Sequence, residues 1–168
     1  MQRLLEACAF AARLHAGARQ KGHEGHPYIN HVIDVALRAS LSGAADETLV
    51  IAALLHDTVE KAGATPEQIA ALFGQDVARL VAEVTDPSES ASLSPAACRL
   101  RLADKAANLA ALTSSPPGEW DREALAAYLD EAERVAAACR AVDPVLSRGF
   151  DEAAETARAA LARSQPRP

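Results

Sequence analysis

The dipeptide His56-Asp57 closes an apolar run from Val50 to Leu55, and two further residues able to hold a cation, His31 and Asp104, lie on other helix-like segments. Imidazole nitrogens and carboxylate oxygens are donors that a divalent ion accepts together, and two of each make a mixed shell with charge enough to neutralise it. The chemistry expected of such a set is metal-assisted hydrolysis. Glu60 follows His56 by four residues and Asp57 by three, so on one continuous helix all three side chains gather at the same end. Each residue taken singly has a plainer explanation. His56 fits a satisfied core histidine, His31 an exposed helix-start residue, and Asp104 a surface ion pair with Arg101 or Lys105. Taken together, a buried group of this kind without a cation leaves like charges uncompensated.

The elements that must position these residues are helices. Nearly half of the 168 residues are hydrophobic and only 4% are aromatic, so the core has to be built from Ala, Leu and Val. An all-α single domain is expected over residues 1–163, with 164–168 as a frayed tail. The first helix, about 2–19, lines Leu4, Cys8, Ala11 and His15 along one face. A loop rich in Gly, Pro, basic and imidazole groups follows over 19–30, and His31 opens a helix that runs to about Ser42. A third helix carries Leu49, Ala53, His56 and Glu60 on one stripe. Thr65-Pro66-Glu67-Gln68 reads as an N-cap, a first-turn proline and a capping-box glutamine, starting a helix that ends near Gly74; another runs on to about Val84. After a loop over 86–95, a helix from about Ala96 to Leu112 carries Asp104, and two more occupy roughly 120–141 and 149–163.

The formal net charge is −6, so the field of the whole molecule attracts neither a nucleic-acid polymer nor an anionic membrane. An anionic substrate must therefore be caught by a local basic patch. Cys8, Cys98 and Cys139 are odd in number and far apart, which reads as buried free thiols in a reducing compartment. No stretch approaches the roughly 18 uninterrupted apolar residues of a membrane span, and a cytoplasmic protein is expected.

The segments Ala11-Ala-Arg-Leu-His15, Gly25-His-Pro-Tyr-Ile-Asn-His31, Ala53-Leu-Leu-His-Asp-Thr-Val-Glu60, Phe73-Gly74, Leu80-Val-Ala-Glu-Val-Thr85 and Leu102-Ala-Asp104-Lys105, with Asn108-Leu109, resemble the HD-domain phosphohydrolases. Within these the sequence is most similar to the hydrolase domain of the RelA/SpoT type and its small stand-alone relatives, over about residues 5–140, with Trp120 and Tyr128 matching the late helix. The resemblance implies a helical domain holding Mn²⁺ through His31, His56, Asp57 and Asp104, although the same donors accept Fe²⁺ or Zn²⁺. It implies a nucleotide substrate, guanosine 3′,5′-bis(diphosphate), whose 3′-pyrophosphate leaves as pyrophosphate. Glu60 would orient or deprotonate the attacking water alongside Asp57. Arg19 and Lys21 correspond to a basic loop that meets base and phosphates, Lys105 to a phosphate contact and Asn108 to a ribose contact. Tyr28 is either a packing residue or part of the site, His15 braces it, and His23 and His26 have no assigned role.

Two departures from the family pattern bear on activity. Glu60-Lys61 stands where close relatives carry Glu-Asp, so Lys61 points to solvent, takes a phosphate contact, or impairs hydrolysis. The connection from Thr85 to Leu102 is short, with no basic residue before Arg99, which leaves the pocket wall open or completed by a second copy of the chain. The leading expectation is a Mn²⁺-dependent guanosine bis(diphosphate) 3′-pyrophosphohydrolase with no room for a synthetase domain. A phosphohydrolase of another nucleotide and a non-catalytic nucleotide- or metal-binding protein are the competing ones, and a helical bundle with purely structural His and Asp residues is the plainest.

Overall fold

A computed structural model describes residues 1–20, 25–85, 93–114 and 122–163. The architecture is all-α, as expected: α1 (Gln2–Leu14), α2 (Ile29–Ala39), α3 (Glu47–Leu55), α4 (Thr58–Ala62), α5 (Pro66–Phe73), α6 (Gln75–Thr85), α7 (Pro95–Ser114), α8 (Arg122–Cys139) and α9 (Pro144–Arg163). Among the described residues no strand forms; the only extended pairing is an isolated bridge between Arg19 and Pro27, which folds the α1–α2 connection back on itself. The expected tail, the part of the first loop bearing Lys21 and His23, residues 86–92 of the expected 86–95 loop, and Trp120 lie outside the described residues. No helix is long and apolar enough to cross a membrane among the residues described.

Several boundaries differ from the sequence reading, each for a local reason. Helix α1 stops at Leu14, about one turn before the expected end, with His15 as its C-cap; the Ala18 N–H then turns back onto the His15 carbonyl at 2.9 Å. Helix α2 starts at Ile29, ahead of His31, and ends at Ala39. The expected continuous helix through His56 and Glu60 is broken into α3 and α4. Asp57 sits at φ −98° and ψ 0°, and the Thr58 hydroxyl donates to the Leu55 carbonyl at 2.7 Å, diverting an acceptor from the helical ladder. Gly63, at φ 72°, ends α4 in the left-handed conformation that glycine adopts without a Cβ penalty. The Thr65 capping box forms as expected, with Gln68 N–H to Thr65 Oγ1 at 3.2 Å and Thr65 N–H to Gln68 Oε1 at 3.0 Å. Helix α9 begins at Pro144 and places Gly149 inside the helix instead of at its start. Asp143 caps it, accepting from the Val145 and Leu146 N–H groups at 3.0 and 3.1 Å, next to a proline suited to the first turn.

Two hydrophobic cores share α7. The first gathers α1 to α6 around residues such as Val32, Ile51, Leu55, Ile69 and Val77; the second is built from α8 and α9 around Leu129, Ala136, Phe150 and Ala154. Helix α7 supplies Ala97, Leu100, Ala103 and Ala107 to the first and Cys98, Leu102, Ala106 and Leu109 to the second. Both sets follow spacings of three and four, so each is a stripe on one helix. Ala at so many core positions lets backbones approach closely, which suits a helix buried on two sides. Cys98 and Cys139 are buried free thiols, whereas Cys8 is half-buried, more accessible than expected.

Candidate active site

A third stripe on α7, Arg101, Asp104, Lys105 and Asn108, faces a cavity of about 570 Å³ between the α1–α2 connection, the α3–α4 break and α8. His31 comes from the first turn of α2, His56 caps the end of α3, and Asp57 caps the start of α4. The break between α3 and α4 thus presents consecutive side chains to one point. Nε2 of His31 lies 3.3 Å from Asp104 Oδ1 and 3.7 Å from Asp57 Oδ2. Nε2 of His56 lies 3.0 Å from Asp57 Oδ2 and 3.6 Å from Asp104 Oδ1. All four candidate ligands therefore converge, and the donor atoms of His31, His56 and Asp104 lie within 4.8 Å of one another.

The fit to a divalent cation can be tested on the imidazoles. His31 and His56 are buried, and Nε2 of each has no aligned hydrogen bond despite the short distances to carboxylate oxygens. Close but misaligned nitrogen and oxygen atoms are what lone pairs aimed at a common point produce. Nδ1 of His56 lies 2.8 Å from the Ala53 carbonyl, where it donates and so leaves Nε2 as the free electron pair. Burial by itself lowers the His56 pKa, but the Asp57 and Asp104 carboxylates outweigh it and raise the value to about 10. Burial would raise the carboxyl pKa of both acids; the imidazoles hold Asp104 well below the usual range, and His56 with Lys61 does the same for Asp57. The field that draws a proton onto His56 also draws a metal ion, and the donor set fits one.

Around this cluster the second layer is polar and specific. Asn108 Nδ2 donates to Asp104 Oδ1 at 2.7 Å, orienting that carboxylate from one turn along α7. Tyr28 donates its hydroxyl to Asp57 Oδ2. Burial, then the Asp57 charge, pushes the Tyr28 phenol pKa up, so it remains a neutral donor. Lys61 Nζ donates to the same Asp57 oxygen at 2.9 Å and to the Tyr28 hydroxyl at 2.7 Å. The solvent-pointing alternative for Lys61 is thus overturned: Lys61 follows Asp57 by one helical turn, and this i,i+4 spacing brings the ammonium onto the carboxylate at the site. His15 is 2% exposed, and its ring centroid lies 4.9 Å from that of Tyr28, a bracing position in which burial lowers its pKa.

Of the residues expected from sequence, Arg19, Tyr28, Glu60, Lys61, Lys105 and Asn108 all line the cavity with the four candidate ligands. Lys21 lies outside the described residues. Arg19 is tethered to its own loop, donating to the Gly25 carbonyl at 3.1 Å, and Lys105 pairs with Glu131 at 3.0 Å. The surface ion pair considered for Asp104 does not form, because Lys105 turns to Glu131 and Arg101 donates to the Val84 carbonyl at 2.9 Å. Sequence reading missed Arg101 as a cavity residue, although its three-residue spacing from Asp104 is a readable signal. The cavity lining carries Arg19, Lys61, Arg101 and Lys105, a local basic group in a chain of net charge −6.

A helical bundle that aims paired imidazoles and carboxylates into a cationic pocket has the architecture of a metal-dependent phosphohydrolase. An HD-domain family profile matches residues 7–115. Guanosine-3′,5′-bis(diphosphate) 3′-pyrophosphohydrolase MESH1 of Homo sapiens is 40% identical over 79% of this chain and 82% of its own length. The protein of the same name in Drosophila melanogaster is 35% identical over 89% of this chain and 92% of its own. A solved metazoan SpoT orthologue, described as hydrolysing ppGpp, superposes with a TM-score of 0.82 at 34% identity, covering 91% of this chain and 94% of that one. The chain belongs to the HD-domain family of phosphohydrolases.

Proposed function

We propose that the protein removes the 3′-pyrophosphate of guanosine 3′,5′-bis(diphosphate), with Mn²⁺ held by His31, His56, Asp57 and Asp104. The observation that carries this reading is the pair of buried Nε2 atoms, without an aligned hydrogen bond, converging with two carboxylates at a cation-lined cavity. Similarity to MESH1 proteins supports the substrate. A bound divalent ion would supply polarisation of a phosphoryl oxygen and acidification of water. Glu60, on the cavity wall, takes the proton of the attacking water. Water oxygen joins the 3′-α phosphorus, the bond from that phosphorus to O3′ breaks, and a proton reaches O3′, giving guanosine 5′-diphosphate and pyrophosphate. Arg101 and Lys105 offset the charge spread over the phosphoryl oxygens, while the Arg19 guanidinium is suited to stack on the purine.

The ammonium of Lys61 on Asp57 favours a second reading, a nucleotide- and metal-binding protein with weakened turnover. One experiment separates the two. Protein with added Mn²⁺ is incubated with guanosine 3′,5′-bis(diphosphate) and a panel of nucleotides, and pyrophosphate and guanosine 5′-diphosphate are quantified. Equal release of both, abolished in Asp57→Ala, supports the proposal. Products from other nucleotides only would sink it, and saturable binding with no product would favour the second reading.

A further inference from the structure

Lys61 is held differently from the other cavity cations. Arg19 and Arg101 donate to backbone carbonyls and Lys105 pairs with Glu131, partners that a metal ion does not claim. Lys61 instead pairs with Asp57 Oδ2, the oxygen that lies 3.0 and 3.7 Å from Nε2 of His56 and His31. We propose that Lys61 links the two ligands of the site: cation binding takes Asp57 away from Lys61, and the released ammonium takes a phosphate. This rests on the metal reading above.

The physical argument is one of charge. Asp57 is 6% exposed, so its surroundings screen poorly, and an ammonium and a divalent ion competing for one carboxylate oxygen repel each other strongly. Without a phosphate ligand the metal has to displace the ammonium into water or tolerate it nearby; either weakens metal binding. With a phosphate in the cavity the displaced ammonium finds an anion, and the cost is recovered. Lys61 is able to make this move. Its side chain is 46% exposed, its stem is flexible, and Nζ already donates to the Tyr28 hydroxyl at 2.7 Å, a second partner that keeps the ammonium at the cavity edge during the swing. Linkage makes the effect reciprocal: if phosphate tightens the metal, the metal tightens phosphate by the same factor. The pair then behaves as one bound unit, and metal without substrate is held loosely.

Calorimetric titration of Mn²⁺ into wild type, Lys61→Met and Lys61→Gln, with and without inorganic phosphate, tests this. Protein-free titrations correct for the weak solution complex of the two ions. Thermal melting of each apo-protein confirms that it is folded. Without phosphate both variants bind Mn²⁺ about 10-fold more tightly than wild type, within the usual range of site coupling. Phosphate tightens Mn²⁺ binding to wild type by a clearly larger factor than to either variant, in which Arg101, Lys105 and direct contact with the ion remain the sources of coupling. Equal Mn²⁺ affinity in all three proteins, or equal tightening by phosphate, overturns the linkage and leaves the metal reading standing. Failure of all three folded proteins to bind Mn²⁺ overturns the metal reading and the linkage with it.

Discussion

Asp143→Ala is the substitution whose cost the structure sets most directly. Asp143 is buried, caps α9 through the Val145 and Leu146 N–H groups, accepts from Ser42 Oγ at 2.5 Å, and faces Arg99 Nε at 3.4 Å. It therefore joins the α2–α3 connection, α7 and α9. Loss of the cap costs about 1 kcal/mol. The Ser42 hydroxyl left without its acceptor adds about 1 kcal/mol. Arg99, with a side chain 18% exposed, loses its anion but keeps some water, which adds about 1 kcal/mol, well below the cost of a fully buried pair. The sum, about 3 kcal/mol, corresponds to a fall in Tm of roughly 6–12 °C for a chain of this size. Asp143→Asn keeps Oδ1 as the acceptor for the cap but puts an amide NH₂ donor where Oδ2 received the Ser42 hydroxyl and faced Arg99, so it should fall by about two thirds as much. Burial raises the Asp143 carboxyl pKa, but Ser42, the two backbone N–H groups and Arg99 bring it below the usual value. A lowered folded pKa means that this stabilisation is present above the unfolded carboxyl value and disappears as pH falls through the folded one. The gap between wild type and Asp143→Ala should therefore be full near neutral pH and shrink below about pH 4. Far-UV circular dichroism melts of the three proteins across that range are the assay. A Tm for Asp143→Ala within about 2 °C of wild type at neutral pH would refute the accounting.

Three further outcomes are expected. Asn108→Ala frees the Asp104 carboxylate and should weaken Mn²⁺ affinity about 10- to 100-fold, read by calorimetry, while an unchanged affinity would mean that Asn108 does not position the ligand. Phe150→Ala, at a fully buried position of the second core, should destabilise by about 3–5 kcal/mol in urea titration; a loss under about 1 kcal/mol would mean that α9 is not packed as described. A thiol reagent near pH 8 should label half-buried Cys8 well before Cys139, whose pKa is pushed to about 12 by burial and by Cys98, and peptide mapping that finds Cys139 first would contradict that burial.

What the sequence disclosed depends on the range of the interactions involved. The all-α class and the Thr65 capping box rest on local spacings of three and four and are readable without a fold, whereas the two core stripes of α7 emerge only with both cores packed against it. His31, His56, Asp57 and Asp104 stood out as residue types, and family resemblance joined them. The break at His56-Asp57 was not visible, because the hydrophobic pattern continues through it and the diverted Leu55 carbonyl depends on one threonine hydroxyl. The contact of Lys61 with Asp57 is an i,i+4 pair, whereas its second partner, Tyr28, approaches from another element and has no signal in local spacing. The start of α9 was legible in Asp143-Pro144, but Gly149 offered a stronger punctuation signal and proved compatible with the helix interior.

Helix α7 has no free side. From Ala96 to Thr113 every residue is buried or half-buried, because one stripe serves each core and the third serves the cavity. Three selective demands are superposed on a single stretch of chain, so a substitution that satisfies one is judged by the other two. Variation of this protein toward a different ligand has little room on α7. It has more on the α1–α2 connection, which reaches the cavity through Arg19, and on α8, which reaches it through Tyr128. Tyr128 also lies beyond the segment matched by the family profile, so the same reaction centre can persist while the cavity rim diverges.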